Sequence, residues 1–245
     1  MDFYTNVISY GNSILVRGVR NGERTTARNK YQPTLFVPVK KKTQYKSLDG
    51  KYLTPVKQQS IKHSKEFLSQ YENQQNLIYG MTRYNFQYIS DNWRGDIKWN
   101  IDNILIVTID IEVASDNGFP KVEESIEELL SISIKNHQSK KLVVFGIGEY
   151  VNSREDVSYV KCETEDELLK KFLTFWESNK PDVLTGWNSK FYDLPYLIHR
   201  IKIRFGEDEV KRLSVWKTVY KDNVYISGKE HICYNVFGLE QLDYL

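Results

Sequence analysis

Apolar and polar residues alternate in "FYTNVISY" (residues 3–10) and "SILVRGVR" (13–20), and again in "RTTARNKYQPTLFVPV" (24–39). A period of two marks strands with one buried face. The dipeptides between them, Gly11-Asn12 and Asn21-Gly22, tolerate positive φ and suit two-residue hairpin turns. The pattern predicts an antiparallel meander. Residues 40–60, rich in Lys and Gln, read as a loop. The spacing of Phe67, Leu68 and Tyr71 predicts a helix over 62–75, and "YNFQYIS" and "DIKWN" read as further strands. Residues 1–103 are thus expected to form a small α+β domain.

The second half opens on "ILIVTIDIEV", apolar almost throughout and therefore expected at the centre of a sheet. "LLSISIKNH" and "KLVVFGIGEY", separated by Gln138 to Lys140, read as a hairpin on the same sheet. Thr164 and Glu167 have capping-box spacing. Leu168, Leu169, Phe172, Leu173, Phe175 and Trp176 then fall at helical spacing until Pro181. "DVLTGW" reads as a short strand and "LPYLIHRIKIRFG" as an amphipathic helix with Gly206 near its end. The last stretch predicts a hairpin turning at Ser227-Gly228. The order of elements describes a mixed sheet flanked by helices, with residues 104–245 as an α/β domain.

Composition adds little to this until it is divided. With 40% hydrophobic and 27% charged residues the chain reads as ordinary and globular. It shows no long apolar run and no leader-like N-terminus, so the expectation is a cytoplasmic protein with no membrane partner. Cys162 and Cys233 are expected to be free buried thiols. His63, His137, His199 and His231 lack zinc-ligand spacing. The net charge of +2 conceals an asymmetry. Residues 1–103 carry 16 Lys and Arg against 8 Asp and Glu, whereas the remainder carries 18 against 24. A basic first half suits phosphates and an acidic second half suits cations, although solvated surface charge explains both as well.

The carboxylates in "TIDIEVASDNGFP" (108–120) need a reason. Asp110 and Glu112 stand two apart on one strand, so their side chains share a face and repel. Paired divalent cations compensate such a pair and activate water against a phosphodiester. The alternative is that Asp110 pairs with a lysine and Glu112 caps a loop. In "TGWNSKFYDLPYL" (185–197), Asn188, Tyr192 and Asp193 occupy a strand-to-helix junction, where functional groups gather in α/β sheets. Asp193 is equally suited to capping the helix.

Asp110-Ile-Glu112 resembles the first exonuclease motif, Asp-x-Glu, of family B DNA polymerases, and Asn188 through Asp193 resembles the second, Asn-x-x-x-(Phe/Tyr)-Asp. The flanks "DIEV" and "TGWN…DLPY" resemble the T-even phage type, and the resemblance runs along the whole chain. It implies an N-terminal polymerase domain over 1–103, then a ribonuclease H-like 3′–5′ proofreading exonuclease domain over 104–245. It also implies Mg²⁺, with Mn²⁺ as an alternative, held by Asp110, Glu112 and Asp193 as catalytic ligands. Asn188 and Tyr192 would face the DNA, and Phe119 would be the aromatic that meets the terminal bases by stacking. Read in isolation, Phe119 suits a core position.

The implied partners are the single-stranded 3′ end of DNA, RNA or template at the basic first domain, and the remaining part of a polymerase. The third motif, Tyr-x-x-x-Asp, does not follow the second, and the polymerase signatures are absent. The domain is therefore expected to be truncated before that motif and weakly active or inactive alone. Asp243 is expected to begin a helix and cap it. The competing expectation is a non-catalytic nucleic-acid-binding or assembly module, with Lys40, Lys41, Lys42 and Lys46 meeting phosphates and binding that weakens with salt.

Overall fold

The alternating N-terminal stretch forms three antiparallel strands, β1 (Phe3–Tyr10), β2 (Ser13–Arg20) and β3 (Glu23–Lys30). In this computed structural model, which describes residues 1–245 other than 72, 75, 76, 117, 227 and 245, the chain divides into two units, Met1–Trp99 and Asn100–Leu245. The β2–β3 turn has positive φ at both Asn21 (52°) and Gly22 (79°), the geometry that matches the twist of a hairpin. The buried face of the meander brings Val7, Ile14 and Val16 against Tyr31, Ile61 and Tyr84.

The rest of the first unit departs from the pattern in three places. β4 (Thr34–Val39) leaves the meander and pairs with β6 (Tyr52–Lys57), which also pairs with the short β5 (Tyr45–Lys46). The Lys- and Gln-rich stretch read as a loop therefore holds two strands, because Leu53 supplies a buried position that the charged composition masks. The expected helix is α1 (Ile61–Ser69). It is shorter than predicted, and Gln75 lies outside the described residues. "YNFQYIS" is the helix α2 (Tyr84–Asn92) rather than a strand. Its aromatics suggested alternation, but the decisive residue is Gln87, one turn after Tyr84. The Gln87 carboxamide accepts from Thr34 N at 3.0 Å and donates to Thr34 O at 2.7 Å, closing off the start of β4. "DIKWN" forms no strand, and Trp99 is exposed.

The second unit is built on a six-stranded mixed sheet in the order β10-β9-β8-β7-β11-β14. Here β7 is Ile106–Val113, β8 Leu129–Asn136, β9 Leu142–Ile147, β10 Val157–Cys162, β11 Val183–Gly186 and β14 Glu240–Asp243. β7 runs antiparallel to β8 and parallel to β11. β10, not among the strands expected from the sequence, adds in parallel to β9. α3 (Glu165–Asn179) packs against β8, β9 and β10, with Leu168, Leu169, Phe172, Leu173 and Trp176 buried. Thr164 Oγ1 caps it by accepting from Glu167 N at 3.3 Å, and Lys180 closes it with φ 44° before Pro181. α4 (Asp193–Phe205) packs against β7 and against β13 (Lys229–Val236), which pairs with β12 (Val219–Ile226) in a separate two-stranded sheet. The predicted turn of that hairpin falls partly on Ser227, outside the described residues, and Gly228 has φ 79°. Both cysteines are free and buried. Among the described residues no helix is long and apolar enough to cross a membrane.

A half-buried histidine links the loop after β7 to this hairpin. His199 Nδ1–H donates to Val122 O at 2.7 Å, and Nε2 accepts from Tyr234 O–H at 2.7 Å. Burial holds the imidazole below its ordinary range against the opposing hydrogen bond to Val122, with Lys221 and Lys202 acting in the same sense as burial and Glu123 against it. A lowered folded-state value means that the unfolded chain binds the proton more readily. His199 thus contributes stability above the unfolded value, about 6.5, and that contribution is lost as pH falls below it. Urea midpoints of wild type and His199→Asn measured from pH 7.5 to 5 are expected to converge as pH falls, and a constant gap would contradict this.

Candidate active site

β7 alternates more strictly than its composition suggests. Val107, Ile109 and Ile111 are buried, while Asp110 and Glu112 point to the other face and are exposed. The two carboxylates therefore occupy the open face of a central strand, not its core. Among the described residues neither takes part in an ion pair, which sets aside the lysine-paired alternative.

Asp193 reaches the same strand from the start of α4. It is only 5% exposed, and its Oδ1 accepts from Ile111 N at 3.0 Å, one residue from Asp110 and one from Glu112. It is the first residue of the helix, Tyr192 is the cap residue, and no side chain caps the end. The capping expectation is thus corrected: the carboxylate is turned onto β7. Burial pushes the Asp193 carboxyl up to about 6, against the hydrogen bond from Ile111, and the charges of Asp110 and Asp243 add to the rise. Tyr192 is raised by burial and by the charges of Asp193 and Glu112, so its hydroxyl shares this acidic neighbourhood.

The strand-to-helix loop is held by a carboxylate. Asp243 Oδ1 accepts from Asn188 N at 3.0 Å and Oδ2 from Lys190 N at 2.7 Å. Asp243 is the last residue of β14, so its carboxylate reaches the 188–190 amides from the end of a strand. Asn188 takes φ 55°, a conformation open to Asn, and its carbonyl accepts from Phe191 N and Tyr192 N. Gly186 allows the close approach. A Cβ there would lie 2.9 Å from Ile109 O and 2.8 Å from Ser189 Cβ, and the first of these is backbone that cannot yield. Gly186→Ala is expected to destabilise the second unit by about 1 to 3 kcal/mol. A urea midpoint equal to wild type would contradict that contact.

Phe119 is 82% exposed, so the core position it suits in isolation is not where it sits. Its ring lies 5.4 Å from that of Tyr192, which lies 5.8 Å from Tyr196. The site therefore combines an acidic face with an exposed aromatic edge beside it. Trp187, 74% exposed in the same loop as Asn188, was not singled out from the sequence, although its place between Gly186 and Asn188 was the available signal.

A profile of DNA polymerase family B, exonuclease domain, matches residues 56–245. The chain belongs to that family. Along its whole length it is 30% identical to the DNA-directed DNA polymerase of Escherichia phage RB69 and 28% identical to that of Enterobacteria phage T4. A segment covering 39% of the chain is 37% identical to the DNA polymerase catalytic subunit of human herpesvirus 7. The chain spans 30% of the length of each phage relative and corresponds to their N-terminal exonuclease region. The mixed sheet with flanking helices accords with the ribonuclease H-like fold of that domain.

Exonuclease domains of this family generally depend on divalent metal ions. Asp110, Glu112 and Asp193 offer the hard oxygen donors such ions take, and the Asp110 charge is one of the lesser causes, after burial, of the raised Asp193 carboxyl. Among the described residues no three His, Cys, Asp or Glu side chains converge closely enough to hold an ion by themselves. The donor set fits a cation held by one or two carboxylates with water and substrate phosphate completing the shell, the usual manner for Mg²⁺.

Proposed function

We propose that residues 104–245 form a 3′–5′ proofreading exonuclease domain that removes nucleotides from a single-stranded 3′ end of DNA, and that residues 1–103 are the N-terminal domain of the same polymerase. The observation that carries this reading is the hydrogen bond from Ile111 N to Asp193 Oδ1, which sets a carboxylate of the second motif on the backbone between Asp110 and Glu112 of the first.

In this reading Asp110, Glu112 and Asp193 hold Mg²⁺, or Mn²⁺ in its place. The bound metal supplies a water activated at neutral pH and stabilises charge on the departing oxygen. The protein's own contribution is positional. The hydrogen bond from Ile111 N fixes Asp193. The Asp243 carboxylate fixes the loop that carries Asn188 and Tyr192 toward the strand. Phe119 offers an exposed face to the terminal base, and base–aromatic stacking contributes about 1 to 3 kcal/mol whatever the base. Residues 194–244 carry no Tyr-x-x-x-Asp, so a fourth carboxylate is expected from the remaining part of the polymerase, and hydrolysis by these residues alone should be slow.

The exposed Lys40, Lys41, Lys42 and Lys46 are the candidates for contacting RNA or template on the first unit. The cytoplasm of the host cell is the expected compartment for a phage-type enzyme. Single-turnover release of nucleoside monophosphate from a 3′-labelled single-stranded oligonucleotide should proceed with Mg²⁺ or Mn²⁺ and stop with EDTA. Release at the same rate in EDTA would refute a metal-dependent site.

A further inference from the structure

The segment between β7 and β8, residues 114–128, carries Phe119, and its described residues form no strand or long helix. Its inner end is nevertheless tightly held, and by a single face of α4. Tyr196 O–H donates to Glu127 O at 2.8 Å, His199 Nδ1–H to Val122 O at 2.7 Å, and Arg200 Nη1 to Ser125 O and Ile126 O at 2.9 Å each. Residues 193, 196, 199 and 200 follow helical spacing, so the face that presents Asp193 to β7 also grips this segment.

The grip is itself braced. Glu165, at the start of α3, accepts from Arg200 Nε at 2.7 Å and from Leu129 N at 2.9 Å. Tyr234 on β13 donates to His199 Nε2. Buried carbonyls require partners in any loop, and that alone would be ordinary. Here, though, the held segment ends in an exposed Phe119 ring seated on Tyr192, the residue before Asp193. Phe119 also borders a cavity of about 310 Å³ lined by Pro120, Lys121, Ile126 and Tyr196, among others.

We infer that Tyr196, His199 and Arg200 are positioning residues: by fixing the carbonyls of Val122, Ser125, Ile126 and Glu127 they set Phe119 and its cavity over the path of a single-stranded 3′ end, and so govern affinity for the polymer. This rests on the exonuclease reading for the identity of the ligand. None of the three touches the reacting atoms. Their loss should therefore weaken binding of an oligonucleotide without slowing hydrolysis of a substrate too small to reach Phe119.

The test uses the full chain and two probes. The first is binding, in EDTA, of a single-stranded oligonucleotide with 2-aminopurine at its 3′ terminus. The second is hydrolysis of thymidine 5′-monophosphate p-nitrophenyl ester with Mn²⁺. Tyr196→Phe, which keeps the ring, and His199→Ala are each expected to weaken oligonucleotide binding about threefold to tenfold, the scale of one net hydrogen bond. Both should also lower the terminal 2-aminopurine emission and leave ester hydrolysis within about twofold. His199→Asn, which retains an N–H directed at Val122 O, should restore binding. Unchanged affinity in both variants overturns the inference, as does a parallel fall in binding and ester hydrolysis or an absence of oligonucleotide binding by wild type. If wild type binds the oligonucleotide but hydrolyses neither substrate, the catalytic reading fails while the binding comparison still decides the role of the helix face.

Discussion

Asp193→Asn is expected to abolish most 3′-end hydrolysis while making the protein more stable at neutral pH. The amide keeps an oxygen that can accept from Ile111 N, so the geometry on β7 is retained and only the charge is lost. Losing a metal ligand removes several kcal/mol of transition-state stabilisation, which corresponds to a rate lower by on the order of 10²-fold or more. Stability should move the other way. A carboxyl whose folded-state value is about 6 rather than its ordinary 3.8 binds protons more readily when folded. Its ionisation therefore costs stability as pH rises through that window, and the full cost is present above it. Relieving it is worth on the order of 3 kcal/mol at pH 7.5. Mg²⁺ adds a second readout, since an ion that binds only the folded state raises the melting temperature of wild type and not of the variant. A variant that is both active and less stable would contradict this description of Asp193.

The largest purely structural effect is expected at the buried pair of Arg200 and Glu165, whose side chains are 8% and 5% exposed. Arg200 makes two bonds to the Glu165 carboxylate and two to backbone carbonyls, so nearly all of its donors are used. Arg200→Leu leaves the buried Glu165 carboxylate to the longer, 3.9 Å pairing with the half-exposed Arg204 and should cost about 3 to 5 kcal/mol. Arg200→Leu combined with Glu165→Met removes both charges and should recover a good part of that loss, because apolar replacements of a buried pair are often close to neutral. Recovery stays incomplete, since Ser125 O, Ile126 O and Leu129 N each lose a partner. Urea unfolding followed by tryptophan fluorescence measures all three proteins. A single variant costing less than about 1 kcal/mol would show that the pair is not braced as described.

What was legible in the sequence was what periodicity and local motifs encode. The β1–β3 meander, the α3 stripe from Leu168 to Trp176, and the central position of β7 all follow from spacing that neighbouring residues set for themselves. Asp110, Glu112 and Asp193 stand out in the sequence because each belongs to a short motif, and the fold brings Asp193 onto β7 between the other two. Long-range partnerships were not legible. Gln87 decides that Tyr84–Asn92 is a helix against Thr34, some fifty residues away, and no local pattern announces it. The resemblance gives Asp243 as the start of a helix, and nothing local announces that its carboxylate binds amides more than fifty residues back. Arg200 did leave a trace, a charge within the apolar run "YLIHRI" of a helix that starts at Asp193. Its meaning required Glu165 and the 125–126 carbonyls to be in place.

The measurement closest to the central claim is a Mn²⁺ titration followed by the electron paramagnetic resonance of the free ion, comparing wild type with Asp110→Asn/Asp193→Asn. It needs neither turnover nor a fourth carboxylate. The expected result is depletion of the free-ion signal by wild type and its recovery in the double variant. Equal depletion by both proteins, or none by either, would contradict the assignment of these carboxylates to a metal site.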